Sequence, residues 1–515
     1  MNRNIERSAI LFASLLMLVP SPSSVLAQDP STDGPGGGST QSGQAAGGQV
    51  GGGPANPSVG KGSRGARRSS QPSTIAADRR GPASNKRAQP EESITEKVER
   101  ALDEGNAARD GHLYTQAESL YKQALSLDAK EGRAYIGLGN IYFDQDKYDQ
   151  AIEYYRLAIK LQPANAEAYS NLGYCFIRMG KSSEAEPFIK QALALDPQSY
   201  TAITRQAHLY RGQKKYPESI EQYQKAMSLK PDYAEAYNGL GLTYQDMKNY
   251  SEAIDQFRKA ISLRPDWIFP YNNLGYLYLG QKKYVEALEQ FNKTVALQPN
   301  NALLYFNVGN VYYDQKRFPE AIEQYNKAVS LKSDYAAAYS RLGFSYYFDK
   351  RYDEAIDQFN KAIAAAPGNS APYNGLGLSY AAQKRYEAAI EQYQKAISAA
   401  PNWPVPYQNI GDAYHLLRRY DEAIDAYRRT ISVNPKWPFP YNSLGIVYSE
   451  QRKYSEAIEQ YNKAISLQSN FASAYFNLGL VYLQLKDKAA ALEQYRKLQT
   501  LDPARAQRLL QLINK

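Results

Sequence analysis

One pattern constrains this chain more than any other. The stretch YNNLGYLY at residues 271–278 returns as YNGLGLTY at 237, YNGLGLSY at 373, YNSLGIVY at 441 and YFNLGLVY at 475. Its glycine recurs every 34 residues: Gly275 is in register with Gly105, Gly139, Gly173, Gly241, Gly309, Gly343, Gly377, Gly411, Gly445 and Gly479. Only Ala207 breaks the series, and it too is small. Self-similarity at such a fixed period means stacked units, none of which buries its apolar face alone. Twelve units run without insertion from about residue 98 to 505. Length alone would instead suggest three or four domains.

The aligned units assign roles to positions. A ring stands four residues before the glycine, as in Tyr135, Tyr169, Tyr237 and Tyr271, and another three residues after it, as in Tyr142, Phe176 and Tyr278. Spacings of four and three place ring, glycine and ring on one helical face. Twelve residues past the glycine comes a small residue, as in Ala151, Ala185, Ser219 and Ala253. A ring follows four residues on, as in Tyr223, Phe257 and Tyr325, and then usually an alanine. This is a second helical stripe, and proline ends it in most units, as at Pro163, Pro231 and Pro401. Each unit therefore reads as two helices of about 20 Å. Glycine inside a helix costs about 1 kcal/mol relative to alanine. Such repetition requires a packing gain, and the expectation is that each glycine faces the alanine of the second helix so that the backbones approach closely.

Ring, Leu-Gly, ring, Ala, ring, Ala and Pro at these offsets resemble the tetratricopeptide repeat family over about four-fifths of the chain. The resemblance implies an all-α fold: a right-handed superhelical solenoid of antiparallel helix pairs over residues 91–503, with the first helices lining a concave face. After it, ARAQRLLQLINK is amphipathic and is expected to cap the last unit over 504–515. The first unit departs from the pattern with Glu104 and Ala108, and the unit around Ala207 with Ile203 and Gln206.

The resemblance implies protein or extended-peptide ligands on that concave face. The positions one and two after the leading ring supply Asn171, Arg205, Asn238, Asn272, Asn307, Arg341, Asn374 and Asn442, and the position after the glycine supplies Asn140 and Asn310. An amide pairs with both N–H and C=O of a peptide backbone. The competing reading is that these amides satisfy neighbouring helices. Relatives that hold acidic chaperone tails use two lysines, two asparagines and an arginine. Asn140, Asn171 and Arg205 match three of those places, but Ile136 and Thr201 stand where lysines should be, so the clamp is incomplete. The recurrent asparagine also resembles the ladder in the repeat domain of O-GlcNAc transferase, whose catalytic region would have to be supplied by a separate chain. Trp267, Trp403 and Trp437 share one repeat position and are expected to pack between units.

Catalysis has little footing. Three histidines, at 112, 208 and 415, show no ligand spacing, and the single Cys175 falls where other units carry Ile141 or Leu209, so neither metal nor cofactor is expected. A basic start, the apolar run 9–19 and Val25-Leu26-Ala27 match a signal peptide over residues 1–27. Export to a bacterial periplasm or the extracellular space is therefore expected, with no transmembrane segment after cleavage. Residues 28–90 hold fourteen Gly and seven Pro and read as a disordered linker. The formal charge of +9 is concentrated there: residues 28–90 carry eight Lys/Arg and three Asp. The basic clusters between 61 and 87 suit an anionic envelope surface, and without interleaved aromatics they argue against nucleic acid. The expected function is a non-enzymatic exported scaffold. The alternatives are an envelope adaptor held by the basic tail, or a recognition subunit for a separate glycosyltransferase.

Overall fold

The structure, a computed structural model, describes residues 92–515. The signal peptide and basic linker expected within 1–90 lie outside the described residues. Twenty-five helices follow one another from Ile94–Asp110 to Pro503–Ile513, as twelve pairs and a final single helix. They fall into two units, 92–277 and 278–515, divided within helix Ile268–Gly280. Each unit is an all-α stack of helix hairpins, and no described helix is long and apolar enough to cross a membrane.

Local chemistry sets the helix ends. Asn165, Ser199, Asn301 and Asn369 cap first helices by accepting a backbone N–H two or three residues on. Pro404 and Pro438 open theirs, where the missing N–H costs nothing. The turn inside each pair holds one residue in the left-handed region, such as Lys214 (φ 60°) or Lys316 (φ 59°). It closes the preceding helix: Lys215 N–H donates to the Tyr210 carbonyl, and Lys214 N–H to that of Arg211. Gly180 is the one glycine among these residues, so sequence alone gave this turn no glycine signal.

Packing corrects one expectation. The periodic glycine faces the second-helix ring sixteen residues on rather than the alanine. A methyl group on Gly139 would lie 2.5 Å from Tyr155 Cε1, and one on Gly377 equally close to Tyr393 Cε1. Gly309, Gly343 and Gly445 meet Tyr325, Phe359 and Tyr461 in the same way. Gly173 meets Ile189 and Gly241 meets Phe257, with the Ala185 and Ala253 carbonyls next at 3.3 and 3.2 Å. The glycine is thus a socket for a ring, and the ring is what the second helix buries. In some units the following repeat closes the socket, as where Gly375 lies against the far side of Phe359. Gly275 is buried on its helix. At the C-terminal end, Leu509 of the last helix fills the place against Gly479 that a ring fills elsewhere. Trp267 and Trp403 are buried in clusters that join successive pairs, Trp267 with Ala234 and Ala260, and Trp403 with Ala396 and Ala400.

Candidate functional site: the first-helix face

In five repeats the residue after the periodic position meets the hydroxyl of the ring below it. Tyr155 and Tyr325 donate their hydroxyls to Asn140 Oδ1 (2.6 Å) and Asn310 Oδ1 (2.8 Å). Asn106, His208 and Asp412 meet Tyr121, Tyr223 and Tyr427 in the same way. A buried phenol needs such a partner. Where the ring is Phe257, Phe291 or Phe359, the position carries Leu242, Tyr276 or Phe344. The match is incomplete, since Leu378 and Ile446 stand in that position above Tyr393 and Tyr461, but where the amide is present its carbonyl has a structural duty, as at Asn140 and Asn310. Replacing Asn310 with Leu should cost about 1–2 kcal/mol by stranding the Tyr325 hydroxyl. Adding Tyr325→Phe should recover most of that loss in urea unfolding, a recovery that a surface amide would not show.

Three of the candidates one position after the leading ring are tied to an asparagine of the next repeat. Asn273 Nδ2 donates to Asn238 Oδ1 (2.8 Å), Asn409 to Asn374 (2.8 Å) and Asn477 to Asn442 (3.1 Å). Asn238, Asn374 and Asn442 are buried, as are Asn272 and Asn307. The ladder fixes each carbonyl and so orients the amide. Asn238 Nδ2 is left buried without a partner. Arg341 stands apart from these, with its guanidinium carbon 4.9 Å from the Tyr313 ring centroid.

In the unit 92–277 the structure brings three candidates together. Asn140, Asn171 and Arg205 line one cleft of about 240 Å³, with Arg109, Asp144, Glu167, Tyr174, Ser199 and Thr201 around them. Asn171 Nδ2 donates to Asn140 Oδ1 at 3.2 Å. Arg109 is paired with Asp144 (3.3 Å), whereas Arg205 stacks on Tyr174 with its guanidinium carbon 3.7 Å from the ring centroid. Glu167, which sequence reasoning passed over, is exposed to water but recessed in this wall. Desolvation there pushes its carboxyl up, opposed by Arg109 and Arg205. The remaining candidates, Asn238, Asn272, Asn307, Asn310, Arg341, Asn374 and Asn442, do not line this cleft.

The face offers hydrogen bonds and cations set over rings, Arg205 and Arg341. Burial pushes the Cys175 thiol up to about 12, so it is no thiolate at neutral pH. Among the described residues, no three His, Cys, Asp or Glu side chains gather as a metal site.

Comparison with known proteins agrees with this geometry. The TPR repeat pattern matches residues 139–180, 207–248, 275–316, 309–348 and 447–486. Further tetratricopeptide repeat patterns match 109–157, 166–199, 234–266, 334–402, 370–436 and 472–505. Among curated proteins nothing matches. Among solved structures, the hetero-tetramer Cut9-Hcn1 of the APC/C is similar at 16% identity over 82% of this chain and 97% of that one, with a TM-score of 0.38. Yeast Tom70 is similar at 15% identity over 81% of this chain and 100% of that one, with a TM-score of 0.40. With glycine sockets, paired helices and family patterns that together run from residue 109 to 505, the chain belongs to the tetratricopeptide repeat family, whose arrays serve as protein–protein interaction scaffolds.

Proposed function

We propose that this chain is a non-enzymatic, exported scaffold whose first-helix face binds an extended segment of a partner protein. The cleft of Asn140, Asn171 and Arg205 carries this reading. It places two amides and a guanidinium with unpartnered donors beside hydroxyls and a carboxylate, which is the equipment for pairing with a peptide backbone and one charged side chain. The leader-like residues 1–27 support export.

A photo-crosslinking side chain at Asn171, in the full chain, tests the binding face. Adducts with discrete partner proteins should form from position 171 and not from position 395, where Lys395 lies exposed on a second helix. Equal labelling from both positions would refute a first-helix binding face. Fusing residues 1–90 to a phosphatase that is active only after export tests the localisation, and an inactive fusion would remove that part.

A further inference from the structure

We propose that the cleft in the unit 92–277 is a phosphoryl-binding site built on Arg205, with His208 one turn along the same helix as a second donor, so that the partner segment carries a phosphorylated side chain. This rests on the reading of the first-helix face as a peptide-binding surface.

The two residues lie one turn apart on helix Tyr200–Gly212, and each is only 8% exposed. Neither is satisfied. The Arg205 guanidinium makes no hydrogen bond, and its Nε and Nη1 are buried without partners. Tyr174 covers its face without taking a proton from it. Other arginines on first helices of this unit each have a carboxylate: Arg109 has Asp144, Arg178 has Asp146 and Arg211 has Asp246. A buried, stacked guanidinium with no anion is therefore a local exception, and leaving such a group unpaired costs the full desolvation of a charge.

His208 adds a second donor. Its Nδ1 sits 2.9 Å from the Tyr223 hydroxyl, while Nε2 is buried without a partner. Burial and the cations Arg211, Arg205 and Arg178 hold the imidazole well below its ordinary range, hence neutral. In four other repeats the equivalent phenol, Tyr121, Tyr155, Tyr325 or Tyr427, donates to an acceptor. When Tyr223 does the same, Nδ1 accepts and Nε2 carries the hydrogen. The His208 and Tyr174 ring centroids are 5.6 Å apart, so both unsatisfied residues converge on Tyr174.

What is missing is an acceptor. A carboxylate presents two acceptor oxygens in one plane, whereas a phosphoryl group has three in a tetrahedral array. It can engage the guanidinium, the Asn171 amide and the Ser199 and Thr201 hydroxyls that line the cleft; the His208 imidazole, one turn on and outside that lining, is the proposed further donor. No lysine lines the cleft, so specificity falls to this fork and ring. Glu167, Asp144 and Asp196 line the same cleft, with Asp144 held by Arg109, so binding of a dianion must draw on Arg205 and the amide and hydroxyl donors around it.

The test uses the full chain, with inorganic phosphate and acetate as probes at matched ionic strength, followed by matched peptides bearing Ser, phospho-Ser or Glu. Phosphate should raise the melting temperature saturably, and acetate should not. Phospho-Ser should bind at least tenfold tighter than Glu at the same position. Arg205→Met and His208→Asn should each weaken phosphate binding at least tenfold with the helical circular dichroism unchanged. Asparagine is the choice at 208 because Asn140 and Asn310 fill that position elsewhere and preserve the tyrosine contact. Acetate matching phosphate, a parent chain with no saturable response, or variants that respond like the parent would each overturn the site. Crosslinking from position 171 that survives in Arg205→Met would leave the broader binding face standing while this proposal fell.

Discussion

Gly377→Leu should destabilise the repeat around it by more than about 3 kcal/mol, although leucine is the better helix former. Two terms oppose one another. Removing glycine from a helix interior gains about 1 kcal/mol. Against this, the new Cβ would sit 2.5 Å from Tyr393 Cε1 and 3.0 Å from its Cζ, and further carbons must follow. Tyr393 is 1% exposed and cannot swing away, since Ala389 and Leu376 of its core cluster are as closely held. Overpacking a tight core costs about 1–3 kcal/mol for an added methylene or two, and a full isobutyl group exceeds that. Hydrogen exchange in helices Ser370–Ala382 and Tyr386–Ala399 reads the effect locally. Pairing the change with Tyr393→Ala should return much of the loss, because the added bulk then occupies the vacated ring site. Gly280 is the control: nothing lies within 4 Å of where its Cβ would be, so Gly280→Ala should be neutral or stabilising by up to about 1 kcal/mol. Destabilisation of Gly280→Ala equal to that of Gly377→Leu would remove the socket explanation.

How much of this was legible beforehand follows from what a period can encode. Ring, glycine and proline spacings report which residues share a helical face, so the twelve pairs were visible from residue 98 onward. The same spacings do not say which residue of the second helix meets Gly139. Alanine and tyrosine, four residues apart, lie on one stripe, and the tilt of the helices brings Tyr155 and not Ala151 onto the glycine. The candidate site was harder to read for a related reason. Asn238 and Asn171 look alike in sequence, yet one is buried under a neighbour's amide and the other lines a cleft. Burial depends on the repeat stacked above. Glu167 shares its repeat position with Glu235, two repeats on, and that match does not tell a cleft residue from a buried one.

Asp412→Asn should stabilise the chain at pH 7.5, on the order of 2–3 kcal/mol. Asp412 is fully enclosed. It accepts from the Tyr427 hydroxyl at 2.7 Å and from Gln408 Nε2 at 3.0 Å, while its second oxygen is buried without a partner. Burial pushes its carboxyl up from 3.8 to about 6, with the Tyr427 and Gln408 hydrogen bonds and the nearby His415 pulling the other way. The sign follows directly. The folded state holds the proton more tightly than the unfolded chain, so this group's contribution is most favourable below about pH 4. It is lost as pH rises toward 6, and above that the deficit is constant. Asparagine cannot ionise, and its carbonyl can take the Tyr427 hydrogen bond as Asn140 and Asn310 take theirs. The gain in urea midpoint should therefore be small near pH 4, grow between pH 4 and 6, and level off above. A gain independent of pH would assign the effect to packing instead, and a loss at pH 7.5 would show that the ionised carboxylate has a partner that stabilises the fold. Repeats 2 and 7 use an amide where repeat 10 keeps a costly carboxylate.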